Sequence, residues 1–451
     1  MIRCLSPFRL LCLGLLLVLS VRALQAQPAP KKELSEQVTS QLGKLKGLAE
    51  SKNYTEIVRL LDGLIPAAAP DSYDLAVLAQ IKGQVLLTDA QYGAAVAPLE
   101  LSLQVGERSG YFDQKTILST LYALAQLYAQ QAADRKDPGE QASFYTQAHA
   151  AITRWLALSP KVSAENQYFA ASLLYNHGML DPKHPDLAKI TQARAEAEKC
   201  LYLDLHPSAQ TYVLILAVLQ QLGDFAQSAD ILEELVVREP QNKLYWQQLL
   251  GMYYTLAAAT KDEREIRRAN LRALLTFERA QARGILSTPK DNFSVVALYF
   301  NLRQFERASE FLSAGLKDGK IENTRKNWEI LSSAFQQMKD TGKAIAALEK
   351  AASVFPEDGQ LEFVLAQLLY AQNEPEKACS HLESAVAKGH LEKPAQVYLF
   401  LAYVGYELKR FDQASRWAKA AEDQPDVKKE DLARLSRAIN DAIKERNAAK
   451  L

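Results

Sequence analysis

The chain has 451 residues, of which 48% are hydrophobic and 24% are charged, and its 53 basic residues balance 53 acidic ones. These proportions are those of a globular protein, and they exclude the disordered, collagen-like and disulfide-scaffold classes. A chain of this length exceeds what one hydrophobic core usually fills, so it holds either several domains or an array of repeats. The neutral balance gives no general electrostatic reason to bind nucleic acid or an anionic membrane.

Residues 1–27 have the pattern of a secretory signal peptide. Arg3 and Arg9 precede an apolar run from Leu10 to Val21, and small residues suited to signal-peptidase cleavage follow it. The run is shorter than the roughly 20 apolar residues of a membrane span, and an uncleaved anchor is the alternative. The sequence therefore predicts a periplasmic or secreted protein with no stable membrane span after cleavage. Residues 28–37 are predicted to form a short leader.

Two cysteines, Cys200 and Cys379, remain once the signal peptide is removed. Both lie in helical patterns and far apart in the chain, so a linear array would keep them several units from each other. We therefore expect two buried, unpaired thiols and no structural disulfide, even in an oxidising compartment.

Helix-period segments recur along the chain at a spacing near 34 residues. Tyr212 and Trp246 lie 34 residues apart, and each opens such a segment. A second helical pattern then carries regularly spaced small and apolar residues, as in Ser228, Leu232 and Leu235. In four segments a proline follows the small residue at a distance of twelve and ends the helix. The four pairs are Ala148 and Pro160, Ala195 and Pro207, Ser228 and Pro240, and Ala344 and Pro356.

This pattern resembles the tetratricopeptide repeat family. The family's order of Trp or Tyr, Leu, Tyr, Ala, Phe and Ala is matched by Trp246, Leu249, Tyr253, Ala273, Phe277 and Ala280. The resemblance implies an all-α fold, an α-solenoid in which helix hairpins stack into a right-handed superhelix. We expect about ten hairpins between residues 38 and 428.

The resemblance also suggests how the chain is divided. Residues 38–208 are predicted to hold divergent repeats with insertions, residues 209–425 a more regular array, and residues 426–451 a polar capping helix. In the regular units an aromatic residue follows the turn between the two helices and is expected to fasten the hairpin. These residues are Phe225, Phe305 and Phe411.

Three hairpins are longer than the family pattern. Their first-helix Tyr and second-helix Ala lie 20 residues apart, in Tyr128 and Ala148, Tyr175 and Ala195, and Tyr253 and Ala273. The inserts, residues 132–141, 178–189 and 259–268, are polar or contain proline, which predicts longer hairpins or protruding loops. Two interpretations stay open: tolerated surface length, or a ridge on which a partner docks.

The sequence predicts no catalytic, cofactor or metal site. It has no phosphate-binding glycine loop and no nucleophile elbow, and its carboxylates fall on the solvent side of amphipathic helices. His177 and His184 share an insert with Asp181 and Asp186, but loop histidines beside prolines are usually solvated. We expect a protein that is not an enzyme; a divergent hydrolase or transferase is the remote alternative.

Aromatic residues on the first helices of the last units form a candidate peptide-binding groove. The inner wall of such an array is lined by first helices, and flat amphipathic rings bind a peptide with little loss of entropy. Packing between units is the alternative explanation of the same residues. The candidates are Phe293, Phe300, Phe363, Tyr370, Phe400, Tyr403 and Tyr406.

The family's Lys and Asn clamp for a peptide carboxylate has no counterpart here. The corresponding positions hold Gln247, Gln248, Gly251, Glu329 and Ser333. A role as a cytosolic chaperone cofactor is therefore disfavoured, in agreement with the predicted export signal.

A narrower resemblance covers residues 209–422. Short segments there are similar to periplasmic repeat proteins associated with TonB, ExbB and ExbD; they lie at residues 221–225, 245–249, 282–286, 326–331, 387–391 and 394–398. This resemblance implies a non-catalytic scaffold or adaptor that binds protein partners of an energy-transduction complex. The alternative is an assembly factor for secretion, exopolysaccharide or outer-membrane biogenesis.

Overall fold

The computed structural model describes residues 32–448, and all regular secondary structure in this range is α-helical. The predicted signal peptide lies outside the described residues. Contacts between Cα atoms divide the chain into two units between Pro207 and Ser208, one residue from the expected boundary between divergent and regular repeats.

The first unit contains four helix pairs. Within this unit consecutive helices pack against each other, most extensively in the pairs α3 with α4, α5 with α6 and α7 with α8. The helices are α1 (Glu36–Glu50), α2 (Tyr54–Leu64), α3 (Tyr73–Thr88), α4 (Tyr92–Arg108), α5 (Gln114–Asp134), α6 (Pro138–Leu158), α7 (Ala164–Gly178) and α8 (Leu187–Leu203).

The second unit contains six helix pairs and a final helix. That helix, α21, packs on α20 and also reaches α19. The helices are α9 (Ala209–Gln221), α10 (Phe225–Arg238), α11 (Lys243–Ala258), α12 (Glu263–Gln281), α13 (Pro289–Asn301), α14 (Phe305–Asp318), α15 (Arg325–Gln337), α16 (Thr341–Val354), α17 (Gly359–Ala371), α18 (Pro375–Lys388), α19 (Pro394–Glu407), α20 (Phe411–Glu422) and α21 (Lys429–Ala448).

This arrangement confirms the predicted all-α fold of consecutive helix hairpins, an α-solenoid. The described residues form ten pairs followed by α21, which agrees with the expected number of hairpins. Helices α1 and α2 begin the array two residues before the predicted start, because Ser35 caps α1 at its first turn.

One turn geometry joins the two helices of seven hairpins in the described residues. Three residues separate the helices, and the middle residue has positive φ in each; these residues are Lys52, Ala90, Gly223, Arg303, Lys339, Asn373 and Lys409. The next N–H donates to the carbonyl five residues earlier, as from Asp224 to Leu219 at 2.9 Å and from Arg410 to Gly405 at 2.8 Å. This Schellman geometry satisfies the last carbonyls of each first helix.

The predicted aromatic fasteners occupy equivalent places after these turns. Phe225, Phe305 and Phe411 are the first residues of α10, α14 and α20. Phe305 packs edge to face against Phe300, with ring centroids 5.5 Å apart, and Phe411 packs against Tyr406 at 5.7 Å. In these two hairpins the ring contact joins the two helices at their turn.

Small residues are buried where the helices of a pair meet. Ala148, Ser228, Ala273 and Ala344 are fully buried, as the repeat pattern predicts. The prediction is wrong for Ala195, which is exposed, because α8 turns Ala193 and Ala197 toward the core instead. Positions two residues apart on a helix point about 200° apart around its axis. An error of two residues in the predicted register therefore exchanges the buried face for the exposed one.

Two of the three inserts extend helices. Most of residues 132–141 belongs to α5 and α6, which are 21 residues long each, and residues 263–268 form the start of α12. Residues 179–186 do form a connection between helices, before α8. Thus the extra length is mainly carried by longer hairpins, and only one hairpin carries it as a loop.

A triad of side chains around one buried carboxylate links α17 and α18. Glu362 is 6% exposed, and its two carboxylate oxygens lie 2.6 Å from Nδ1 of His381 and 2.6 Å from Nζ of Lys388. The hydrogen bond from His381, opposed by burial and assisted by Lys388, holds the pKa of Glu362 below its ordinary value. Because the folded pKa is lowered, the triad stabilises the fold above the unfolded pKa and loses that effect as pH falls.

We expect Glu362→Gln to lower the free energy of unfolding by about 2 kcal/mol at pH 7, since hydrogen bonds to charged groups contribute this much. The difference from wild type should shrink as pH falls below the ordinary glutamate pKa of 4.5. Urea unfolding at pH 7, 5 and 4 measures it, and Glu383→Gln, at an exposed position of α18, is the control. A difference that grows in acid would contradict the triad's assigned role.

Gly359 begins α17 in direct contact with the end of α18. Its N–H donates to the carbonyl of Gly389 at 3.1 Å, and a Cβ at this position would overlap the carbonyl oxygens of Ala385 and Gly389. The absence of a side chain therefore lets these two backbones approach.

Gly359→Ala should destabilise the second unit by about 1–3 kcal/mol, because the added Cβ forces the backbone of α18 away. Gly251→Ala is the matched control: nothing lies within 4 Å of a Cβ there, and alanine should stabilise α11 by about 0.5–1 kcal/mol. Thermal and urea unfolding of both variants measure the two effects. Equal responses would show that the contact at Gly359 relaxes freely.

Candidate docking surface

The seven predicted groove residues lie on three helices of the second unit. Phe293 and Phe300 are on α13, Phe363 and Tyr370 are on α17, and the remaining three are on α19. The structure brings the rings of α17 and α19 together. Tyr370 lies edge to face with Phe400, with centroids 5.2 Å apart, and with Tyr403 at 6.1 Å; Phe363 also contacts Phe400, at 6.4 Å.

Several of these rings serve packing. Phe363 is 5% exposed and belongs to the core between α16 and α19, so the expectation that it lines a groove is corrected. The core of the neighbouring hairpins packs around its ring, whereas Tyr370, seven residues later on the same stripe of α17, is only partly buried. Phe293 and Phe300 pack against the neighbouring core, and Tyr406 packs against α20 and α21.

Tyr403 is the candidate that presents most surface, with 41% of its area exposed. Its hydroxyl donates to Oε1 of Glu407 at 2.8 Å, and the hydroxyl of Tyr370 donates to Oε2 of the same carboxylate at 2.7 Å. We call these three residues the tyrosine–glutamate patch. One carboxylate therefore holds two phenol groups from adjacent hairpins in a fixed orientation.

Glu407 is the member that sequence reasoning missed. Its position four residues after Tyr403 is a signal in the sequence, since residues i and i+4 share a helix face. The contact with Tyr370, 37 residues away, depends on the packing of α17 against its neighbours. Burial, together with hydrogen bonds to Tyr403 and Glu407, raises the pKa of Tyr370, so its hydroxyl remains a donor at neutral pH.

The position corresponding to the family's peptide clamp at Glu329 has a different environment. Its carboxylate lies 3.6 Å from the Nε of Arg325, which also approaches Asp358 at 3.8 Å and pairs with Glu392 at 2.6 Å. Burial raises the pKa of Glu329, and Arg325 partly offsets this. This network gathers acidic groups from three hairpins around one arginine, so it does not offer a cationic clamp for a peptide carboxylate.

The histidines and acids of the α7–α8 connection separate into different roles. Nδ1 of His184 lies 3.0 Å from Asp181, whereas His177 stacks on Tyr145 with ring centroids 6.2 Å apart. Asp186 accepts from the N–H groups of Ala188 and Lys189 and so caps α8. Within residues 32–448 no three His, Cys, Asp or Glu side chains are placed to hold a metal ion together.

The two thiols of the described residues, Cys200 and Cys379, are buried and unpaired, as the sequence predicts. Burial raises the pKa of Cys200 to about 11, and it also raises the pKa of Cys379. Both therefore stay protonated near neutral pH, which is the opposite of what a nucleophilic cysteine requires. The described helices include none long and apolar enough to cross a membrane.

Comparison with known proteins gives one family match. The tetratricopeptide repeat model matches residues 326–358, which span α15 and α16. No curated protein matches the chain. The match covers one hairpin, and the helices on either side of it are paired into hairpins in the same way.

Several solved structures are similar to the chain. A tetratricopeptide repeat protein from Parabacteroides merdae shares 14% identity, covering 62% of this chain and 98% of that one, with a TM-score of 0.28. MamA from Desulfovibrio magneticus shares 16% identity over 39% of this chain and 93% of that one, with a TM-score of 0.29. At these scores the similarity does not establish a shared arrangement of repeats.

A thermophilic tetratricopeptide repeat protein from Thermus thermophilus shares 19% identity, covering 46% of this chain and 100% of that one, with a TM-score of 0.25. The support for a family comes instead from residues 326–358 and from the fold itself. The family match thus identifies residues 326–358 as a tetratricopeptide repeat, and the ten consecutive helix pairs of the described residues repeat the same hairpin architecture.

Proposed function

We propose that this protein is a non-catalytic scaffold that binds protein partners in the bacterial periplasm. The observation that carries the proposal is the exposed tyrosine–glutamate patch, which the array of hairpins holds in a fixed orientation. The thiols of the array are buried and protonated. Tetratricopeptide repeats are an interaction fold, since their stacked hairpins offer an extended surface.

The tyrosine–glutamate patch suits an extended or helical peptide. Tyr403 offers a ring face and the edge of its phenol, while Glu407 offers an acceptor beside it. Because Glu407 already holds both hydroxyl groups, little side-chain freedom is lost when a partner binds. Aromatic residues that are ordered in this way often dominate the binding energy of an interface.

The periplasmic location and the TonB, ExbB and ExbD partners are the finer part of the proposal. The location is supported by residues 1–27, and the partners by the segments that resemble periplasmic repeat proteins of these systems. Some of those segments also have structural roles here: Gly223 adopts the positive φ of its turn, and Trp246 is buried and donates to the carbonyl of Pro240. The partnership therefore needs its own test.

Tyr403→Ala should weaken capture of the physiological partner about tenfold while leaving helical content and melting temperature nearly unchanged, because this ring is substantially exposed. Photocrosslinking from position 403 in intact cells, followed by mass spectrometry, identifies the partner. Crosslinking from position 437, an exposed site on α21, is the control. Recovery of secretion or outer-membrane assembly proteins would favour the alternative function, and recovery of no envelope protein would refute both.

Introducing charged residues into the predicted signal peptide tests the proposed periplasmic location of the protein. Leu15→Arg together with Leu16→Arg should keep the protein in the cytoplasm with its N-terminus intact, because charges in the apolar run prevent export. Wild-type protein should be found in the periplasm with residues 1–27 removed, and Ala29→Arg, in the predicted leader, should not alter this. Cell fractionation and intact mass measure the result; a wild-type protein retained uncleaved in the cytoplasm would refute the proposed location.

A further inference from the structure

Helix α12 presents an outer face of arginine and leucine. Arg264, Arg268, Leu271 and Leu275 follow one another at spacings of four, three and four, which places them along one stripe of a helix. Arg267 and Arg272 border the stripe on its two sides. All six residues are exposed, with Leu271 at 43% and Leu275 at 48%. We call these six residues the α12 outer face.

The opposite face of α12 is fully used by the fold. Its residues are buried against the core of the second unit, and they are Ala269, Asn270, Ala273, Leu274, Thr276, Phe277 and Ala280. The outer face is therefore not a core stripe turned outward by an error of register. The helix also belongs to one of the three lengthened hairpins, and the insert at residues 259–268 supplies the arginine-rich start of α12.

The arginines of this face have few acidic partners. Arg268 lies 3.9 Å from Glu265 in an exposed pair, a geometry that contributes little. Among the described residues, Arg264, Arg267 and Arg272 form no ion pair; Arg272 instead lies over the ring of Tyr253, 5.8 Å from its centroid. Three of the four arginines of this face therefore lack an ion-pair partner among the described residues, although the exposed acids Glu263, Glu265 and Glu278 lie on the same helix.

A cleft adjoins the arginine side of the face. It has a volume of about 420 Å³ and lies between α10, α11 and α12. Arg268 and Arg272 line it from α12, Tyr253 and Thr260 line it from α11 and the turn after it, and Asp230 lines it from α10. A segment lying on the outer face can therefore place a side chain in a pocket whose edge carries these two guanidinium groups and the carboxylates of Asp230 and Glu265.

We propose that the α12 outer face binds an acidic, leucine-containing helical segment of a partner protein. The stripe from Arg264 to Leu275 is about 16 Å long, which matches roughly three turns of a second helix. Two leucines one turn apart offer a contact for apolar residues at the same spacing on that helix. The surrounding guanidinium groups suit bidentate contacts with Glu and Asp side chains.

The composition of the face favours a protein over an anionic membrane. A helix that lies in a membrane interface buries a broad apolar face, commonly with Trp or Phe. Here the exposed apolar part is the pair Leu271 and Leu275, and the other side of α12 is already buried in the protein. The inference rests on the proposed scaffold function but uses a surface different from the tyrosine–glutamate patch.

Selection from a displayed library of helical 16-residue peptides, with the mature protein as target, tests this proposal. Enriched peptides should carry a net negative charge and apolar residues three and four positions apart. Their affinity, measured by fluorescence anisotropy, should fall at least tenfold with Leu271→Ser plus Leu275→Ser or with Arg268→Ser plus Arg272→Ser. It should also fall between 50 and 300 mM NaCl, since the arginine contacts are screened by salt.

The matched control is Val237→Ser plus Leu244→Ser, which removes two exposed apolar residues of α10 and α11 and should change the affinity less than twofold. Circular dichroism and melting temperature verify that every variant is folded. Enrichment of neutral or basic peptides, or of none, would overturn the proposal, as would acidic peptides that bind the leucine variant normally.

Two further results distinguish the remaining explanations. If vesicles of phosphatidylglycerol bind the wild type but not the leucine variant, and no acidic peptide is enriched, the face contacts lipid and the proposal is wrong. If enriched peptides depend on Tyr403 but not on Leu271, the scaffold function stands and the assignment of this surface fails.

Discussion

Close approach of helices at small residues is the constraint on which the rest of this structure depends. Ala148, Ala273 and Ala344 are fully buried, and large apolar residues of the neighbouring helices fill the space beside Ala148 and Ala273. Gly359 extends the same principle to backbone against backbone. Because no hairpin can bury its apolar surface alone, each hairpin obtains its stability from the hairpins packed beside it, and the side chains that are left at the edges become available for binding.

The sequence supports accurate prediction of the features that repeat. The number of hairpins, the aromatic residues after the turns and the buried thiols follow from spacing and composition. The helical register within one unit is harder: Ala195 fits the twelve-residue distance to Pro207, yet α8 buries Ala193 and Ala197. Similarly, the polar inserts suggest loops or longer hairpins equally well, since helix ends and exposed loops share a polar composition. The α5–α6 and α11–α12 hairpins resolve this in favour of longer helices.

The candidate surface illustrates a second limit. Position on a first helix identifies Tyr370 and Tyr403, but it does not separate them from Phe363, whose ring is buried by the hairpins on either side. Only the packed structure shows that Glu407 accepts from both tyrosines. The distribution of charge is equally hidden in the sequence composition. The chain has no net charge, yet it contains both the triad around Glu362 and a row of arginines on α12.

The turn shared by seven hairpins has an evolutionary consequence. Its geometry is defined by three residues and one backbone hydrogen bond, and it tolerates Gly223, Arg303 and Asn373 alike at the residue with positive φ. Because this turn lies inside each hairpin, a duplicated hairpin carries its own turn, and the copy can change the residue with positive φ while its two helices stay paired. Such a chain can change its length by tandem duplication of hairpins. The sequence of an extra hairpin can then diverge while the original hairpins retain their function.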